Sequence, residues 1–137
     1  MKDIEKLKTF VKETLGCACP EEVFSYLKCK NNVPLHYGTE LLRKINIGNR
    51  LLIYVVEVND QDSVNLLLPF LFDTGKKERD DAGFNRFRLV IATDRVGEIK
   101  DSADTIMKTA VKDDRVHLHI VPKKDIPEFS DATYSQP

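Results

Sequence analysis

The sequence predicts an α/β fold in which an N-terminal helical hairpin precedes a mixed sheet of about four strands, an antiparallel hairpin continued by β-α-β-α-β crossovers. Three observations lead there. Apolar residues recur at helical spacing from Ile4 to Leu15, Gly48-Asn49 separates two strand-like runs, and the second half alternates short apolar runs with amphipathic segments.

Ile4, Leu7, Val11 and Leu15 share one helical face with Phe10 beside them, and Gly16 follows as a residue suited to a left-handed helix end. Pro20 fits the first position of a second helix, where its missing N–H is no loss. Glu21 and Glu22 complement the positive end of that helix, and Val23, Phe24 and Leu27 supply its buried face. The connecting turn is Gly16 to Cys19. After a loop from Asn31 to Gly38, Leu41–Ile47 and Arg50–Val58 flank Gly48-Asn49, a tight-turn signal. The run Leu51–Val56 is nearly all apolar, which predicts a strand covered on both faces.

Asp60–Arg79 reads as a crossover helix that Pro69 bends or begins, and Lys76–Gly83 as its solvated, mixed-charge end. Phe87–Ala92 is a third strand, Ile99–Val111 a helix with Ile106, Met107 and Ala110 inward, and Val116–Val121 a fourth strand. The globular domain is expected to span 1–124, with 125–137 as a loosely attached tail carrying Pro127 and Pro137.

At 137 residues and 42% apolar composition, the chain can bury one core without needing a metal or a disulfide to fold. Its 21 Lys and Arg against 22 Asp and Glu form no basic stripe, which argues against nucleic acid as a partner. The charged start, Met1-Lys2-Asp3-Ile4-Glu5-Lys6, is unlike a signal peptide, and no apolar run is long enough to span a bilayer. A cytoplasmic protein that does not enter membranes is expected. A protein partner or a second copy of the chain is the class of partner left open.

Chemistry concentrates in Leu15-Gly16-Cys17-Ala18-Cys19-Pro20-Glu21-Glu22. Two thiols one residue apart, just before a helix start, sit where peptide dipoles favour thiolate, the form that attacks disulfides and binds metals. Cys19, next to the unsatisfied N–H groups of the second helix, is the expected principal thiolate and Cys17 its partner. Glu21 and Glu22 oppose this by raising a thiol pKa if their charges face the sulfurs. Cys29 and His36 are candidate further ligands, so that Cys17, Cys19, Cys29 and His36 would form a soft-metal site for zinc or an iron–sulfur cluster. Closing a ring between Cys17 and Cys19 strains the bond, and a stable internal disulfide is not expected.

The segment Thr14–Phe24 resembles a leader in small uncharacterised prokaryotic proteins with an LGCxCPEEVF-like pattern. That resemblance covers the helical hairpin and implies a defined turn for the two cysteines, and no activity. Arg115-Val116-His117-Leu118-His119-Ile120-Val121-Pro122 resembles a histidine-triad motif, with Arg115 in place of the first histidine, His117 at the nucleophile and His119 at the third position. It implies a histidine-dependent phosphate-ester enzyme.

Three functions follow as expectations. The first is a thiol site at Cys17 and Cys19, either binding a soft metal or exchanging disulfides. The second is a noncatalytic interaction module in which the cysteines merely pack, and the third is phosphate-ester chemistry at His117. If crossovers form a parallel sheet, Asn59 and Asp60, Thr93 with Asp94 and Arg95, and Lys123 with Lys124 end the strands where such folds place anionic ligands. Phe72-Asp73-Thr74-Gly75-Lys76 lacks the upstream glycine of a phosphate loop.

Overall fold

The computed structural model describes residues 2–17, 19–35, 38–128 and 130–135. Helix α1 (Lys2–Thr9) continues into one π-helical stretch, Phe10–Thr14, and a 3-10 turn, Glu21–Ser25, leads into β1 (Tyr26–Pro34). Then come β2 (Glu40–Ile47), β3 (Leu51–Glu57), α2 (Gln61–Ala82), β4 (Arg86–Thr93), α3 (Val96–Ala110), β5 (Val116–Pro122), the 3-10 turn Lys123–Asp125 and β6 (Ala132–Ser135). The six strands form one sheet in the order β5-β4-β3-β2-β1-β6. β6, β1, β2 and β3 pair antiparallel, whereas β3, β4 and β5 pair in parallel.

The first helix forms as its periodicity requires. Leu7, Phe10, Val11 and Leu15 are buried on one sheet face, and Gly16 leaves the helix with φ +67°. The expected second helix is a correction: only the 3-10 turn forms after Pro20. From Tyr26 onward, buried Leu27 and Cys29 alternate with exposed Lys28 and Lys30, a period-two pattern that only a strand can bury. Val23 and Phe24 of the short turn still reach the core.

Gly48 and Asn49 both take positive φ, 62° and 58°, as a type I′ turn demands. Asn46 braces the turn by accepting from the Asn49 N–H at 2.8 Å. A side chain at Gly48 would strike the Val23 carbonyl at 2.4 Å, so the turn packs directly under the N-terminal segment. β3 lies inside the sheet. Leu51, Ile53 and Val55 face the N-terminal layer, while Leu52, Tyr54 and Val56 face the layer of α2 and α3.

Helix α2 is continuous through Pro69, which had been expected to interrupt it. Pro69 and Asn65, whose carbonyl loses its donor, are both exposed, so solvent can serve that carbonyl. Asp60 caps the start by accepting from the Ser63 N–H, and Gly83 at φ +80° closes the end. Gly75 sits against the Phe87 ring, which accounts for the glycine in the phosphate-loop-like segment by packing. On α3, Ile99 and Ala103 are the buried residues and Ala110 is exposed, contrary to expectation.

The sheet has six strands rather than about four: β1 and β6 form where the sequence predicts helix, loop and tail. Residues 132–135 pair with 26–29, and the Asp131 carboxylate accepts from the Asn31 N–H at 2.7 Å. Part of the stretch 125–137 is thus a sheet edge. No helix among the described residues is long and apolar enough to cross a membrane.

Candidate functional site

The N-terminal layer packs into one core cluster with residues of β1 to β5, Val90 and Val121 among them, and the first residues of β4 and β5 lie outside that cluster. A cleft of about 430 Å³ opens there, walled by Gly16, Cys17, Cys19, Pro20 and Val23 on one side and by sheet and turn residues on the other. The sheet side carries Arg50, Arg86, Arg88 and His117.

Cys17 and Cys19 are joined as a disulfide, with Cα atoms 5.3 Å apart. This corrects the expectation that no stable internal disulfide would close between them. The left-handed Gly16 and the Cys17 N–H donating to the Val11 carbonyl at 3.1 Å fold the segment back, and the Cα separation falls within the range a disulfide spans. Both side chains are half-buried: they pack on the core and also border the cleft.

The source of positive field at the sulfurs differs from the one expected. Cys19 is not a capping residue; Pro20 occupies that position, and the turn after it is five residues of 3-10 helix with little dipole. The positive groups that border the same cleft as the two cysteines are the guanidiniums of Arg50, Arg86 and Arg88. The carboxylate that threatened to oppose thiolate is held elsewhere: Glu21 accepts from Lys8 at 2.8 Å and Lys12 at 2.7 Å. These bonds, with the charge of the two ammoniums, pull its pKa down to about 2. Lys8 and Lys12 also lie 5.8 and 5.2 Å from the Phe24 ring centroid, pinning the turn to α1. Neither Glu21 nor Glu22 borders the cleft.

The arginines and histidines interleave across two parallel strands. Register pairs Arg88 with His117 and Val90 with His119, so alternate residues of β4 and β5 project to the same face. Arg86 Nη1 lies 3.3 Å from His117 Nε2, and Arg88 Nη1 lies 2.9 Å from His119 Nε2. A guanidinium only donates, so each Nε2 accepts and each imidazole is neutral. The pKa values agree: burial, then Arg88 and Arg86, hold His117 below its ordinary range despite Asp114, and burial, Arg88 and His117 lower His119 to about 4. Burial likewise lowers Arg88, with Arg86 adding to the effect.

Arg50 is set beside Arg86 by backbone bonding. Its carbonyl accepts from the Asn85 N–H at 2.8 Å and the Arg86 N–H at 3.2 Å, joining the β2–β3 turn to the start of β4.

Of the expected ligands, Cys29 is set apart from Cys17 and Cys19. Cys29 is buried on β1, bordering a separate small cavity with Ile4, Leu7 and Tyr134. His36 lies outside the described residues. Among the described residues, no group of three or more His, Cys, Asp and Glu is placed to hold a metal ion.

The polar strand ends are occupied with one another. Lys123 pairs with Glu57 at 2.7 Å and reaches Asp94 at 3.6 Å, while Asn59 accepts from the Asp94 N–H at 3.1 Å. The cleft lies at the opposite, amino-terminal ends of the parallel strands. Arg50, Arg86 and Arg88 were not singled out by sequence reasoning. The signal available was Arg86-Phe87-Arg88, two charges at period two entering an otherwise apolar strand.

Comparison of the chain with protein-family models, with curated proteins and with solved structures returns no match.

Proposed function

We propose that this protein carries out thiol–disulfide exchange at Cys17 and Cys19. The observation that carries the reading is the bonded pair itself, half-buried at the wall of an open cleft rather than sealed in the core. A bond between residues two apart closes so short a loop that it contributes little as a staple, by chain entropy about 1.5 kcal/mol. Stability alone is therefore a weak reason for it. Neighbouring guanidinium charge favours thiolate over thiol in the reduced pair, and the thiolate is the attacking species.

In the reducing direction, the thiolate of one cysteine attacks a sulfur of a substrate disulfide RSSR. A mixed disulfide forms and RS⁻ leaves, taking a proton to become RSH. The second cysteine, losing its proton, attacks the protein sulfur of that mixed disulfide and expels the other RS⁻, which is protonated in turn. The net change is protein dithiol and RSSR to protein disulfide and two RSH. The reverse direction oxidises thiols.

The test is to equilibrate the protein in redox buffers of graded potential, trap thiols with an alkylating agent, and read masses. A single two-electron transition confined to Cys17 and Cys19, with a midpoint between about −320 and −180 mV, is expected. Cys17→Ser and Cys19→Ser should each abolish it. A pair that stays fully reduced or fully oxidised throughout that range would overturn the reading.

A further inference from the structure

We infer that the cleft beside Cys17 and Cys19 selects an anionic small molecule, a thiol or disulfide whose arms carry carboxylate or phosphate groups. The inference rests on the exchange reading above and names its substrate class.

The charge of the cleft is one-sided. Arg50, Arg86 and Arg88 border it together with His117, and among the described residues no Asp or Glu does. None of the ion pairs among the described residues involves these three arginines. Arg79 and Arg95, by contrast, each have a carboxylate within reach. Arg88 is the most telling of the three. Its Nη1 is taken up by the Leu15 carbonyl and His119, while its buried Nε has no hydrogen-bond partner. A half-buried guanidinium without a counter-ion is costly, and an anion in the cleft would offset its charge and that of its neighbours.

Geometry limits the size of that anion. The Arg50 carbonyl accepts from the Asn85 and Arg86 N–H groups, which holds the two backbones together, and both exposed arginines border the cleft that the disulfide also borders. A volume of about 430 Å³ falls in the range of small-molecule sites, so sulfur and anionic groups of one compact ligand can engage both walls. Neutral His117 adds a polar group without adding charge.

The experiment measures exchange rates of the reduced protein with four disulfides: glutathione disulfide (carboxylate arms), coenzyme A disulfide (phosphate arms), bis(2-hydroxyethyl) disulfide (neutral) and cystamine (cationic). At low ionic strength at least one anionic disulfide should react about tenfold or more faster than cystamine, after correction for the intrinsic reactivity of each with a free thiol. Which of the two leads identifies the anionic group. Arg50→Gln and Arg86→Gln should each reduce the anionic-to-cationic ratio severalfold, and Lys100→Gln, on the outer helix α3, should leave it intact. Raising salt to about 0.5 M should erode the ratio in the unaltered protein, a readout that needs no substitution. Equal corrected rates, or a ratio indifferent to both arginines and salt, would overturn the substrate class while leaving exchange standing. No exchange with any of the four would overturn both.

Discussion

Arg88 Nη1 stands 2.9 Å from His119 Nε2 and the same nitrogen donates to the Leu15 carbonyl at 2.9 Å, so one guanidinium ties the end of the first helix to two sheet strands. The cysteine turn begins two residues after Leu15. Its position over the sheet therefore depends on Arg88 finding an acceptor, not a cation, on β5.

That dependence predicts acid sensitivity. His119 titrates at about 4 in the folded protein because burial, Arg88 and His117 disfavour its charged form, whereas an unfolded histidine titrates near 6.5. Between these values the unfolded chain binds the extra proton, so stability falls as pH is lowered through the window. From pH 7 to 5, urea unfolding should show a loss from this group of about 1–2 kcal/mol, and His119→Gln should show correspondingly less. Identical losses in the two proteins would exclude the coupling.

Reducing the Cys17–Cys19 bond should lower thermal stability only modestly. Loop closure over so short a span gives about 1.5 kcal/mol, which for a domain of this size moves Tm by no more than about 6 °C. Calorimetry with and without a phosphine reductant measures this directly. A much larger fall would make the bond a structural staple and weigh against an exchange role.

Gly75→Ala should destabilise the protein even though alanine is the better helix former. A Cβ there would lie 2.1 to 2.5 Å from ring atoms of Phe87, which is fully buried and has no room to turn aside. Overpacking of this kind costs about 1–3 kcal/mol, more than the roughly 1 kcal/mol that helix propensity returns. Chemical denaturation should show the net loss, with the larger Gly75→Val change worse. A stabilised alanine variant would contradict the packing.

Several elements were legible because their signals are local. Gly16, Gly48-Asn49 and Gly83 mark backbone reversals that few other residues adopt, and the apolar spacing of Ile4 to Leu15 and of Leu51 to Val56 specifies how each segment is buried. Strand β1 was missed because Pro20-Glu21-Glu22 is a strong helix-start pattern, and the alternation that overrides it begins only at Tyr26. Strand β6 was missed because its partner lies far back in the chain: Asn31 and Asp131 are 100 positions apart.

Of the candidate site, the amino-acid sequence determined the sulfur half. Adjacent thiols at a turn are a property of neighbouring residues. The tertiary structure decided the charged half, for Arg86 and His117 are separated by 31 positions and meet only because β4 and β5 pair in parallel after a helical crossover. Spacing along a chain reveals which residues share an element's face. Which faces are brought together, and whether a cation or a carboxylate then stands beside a thiol, is fixed by strand order and register, and these arise from burying the whole core at once.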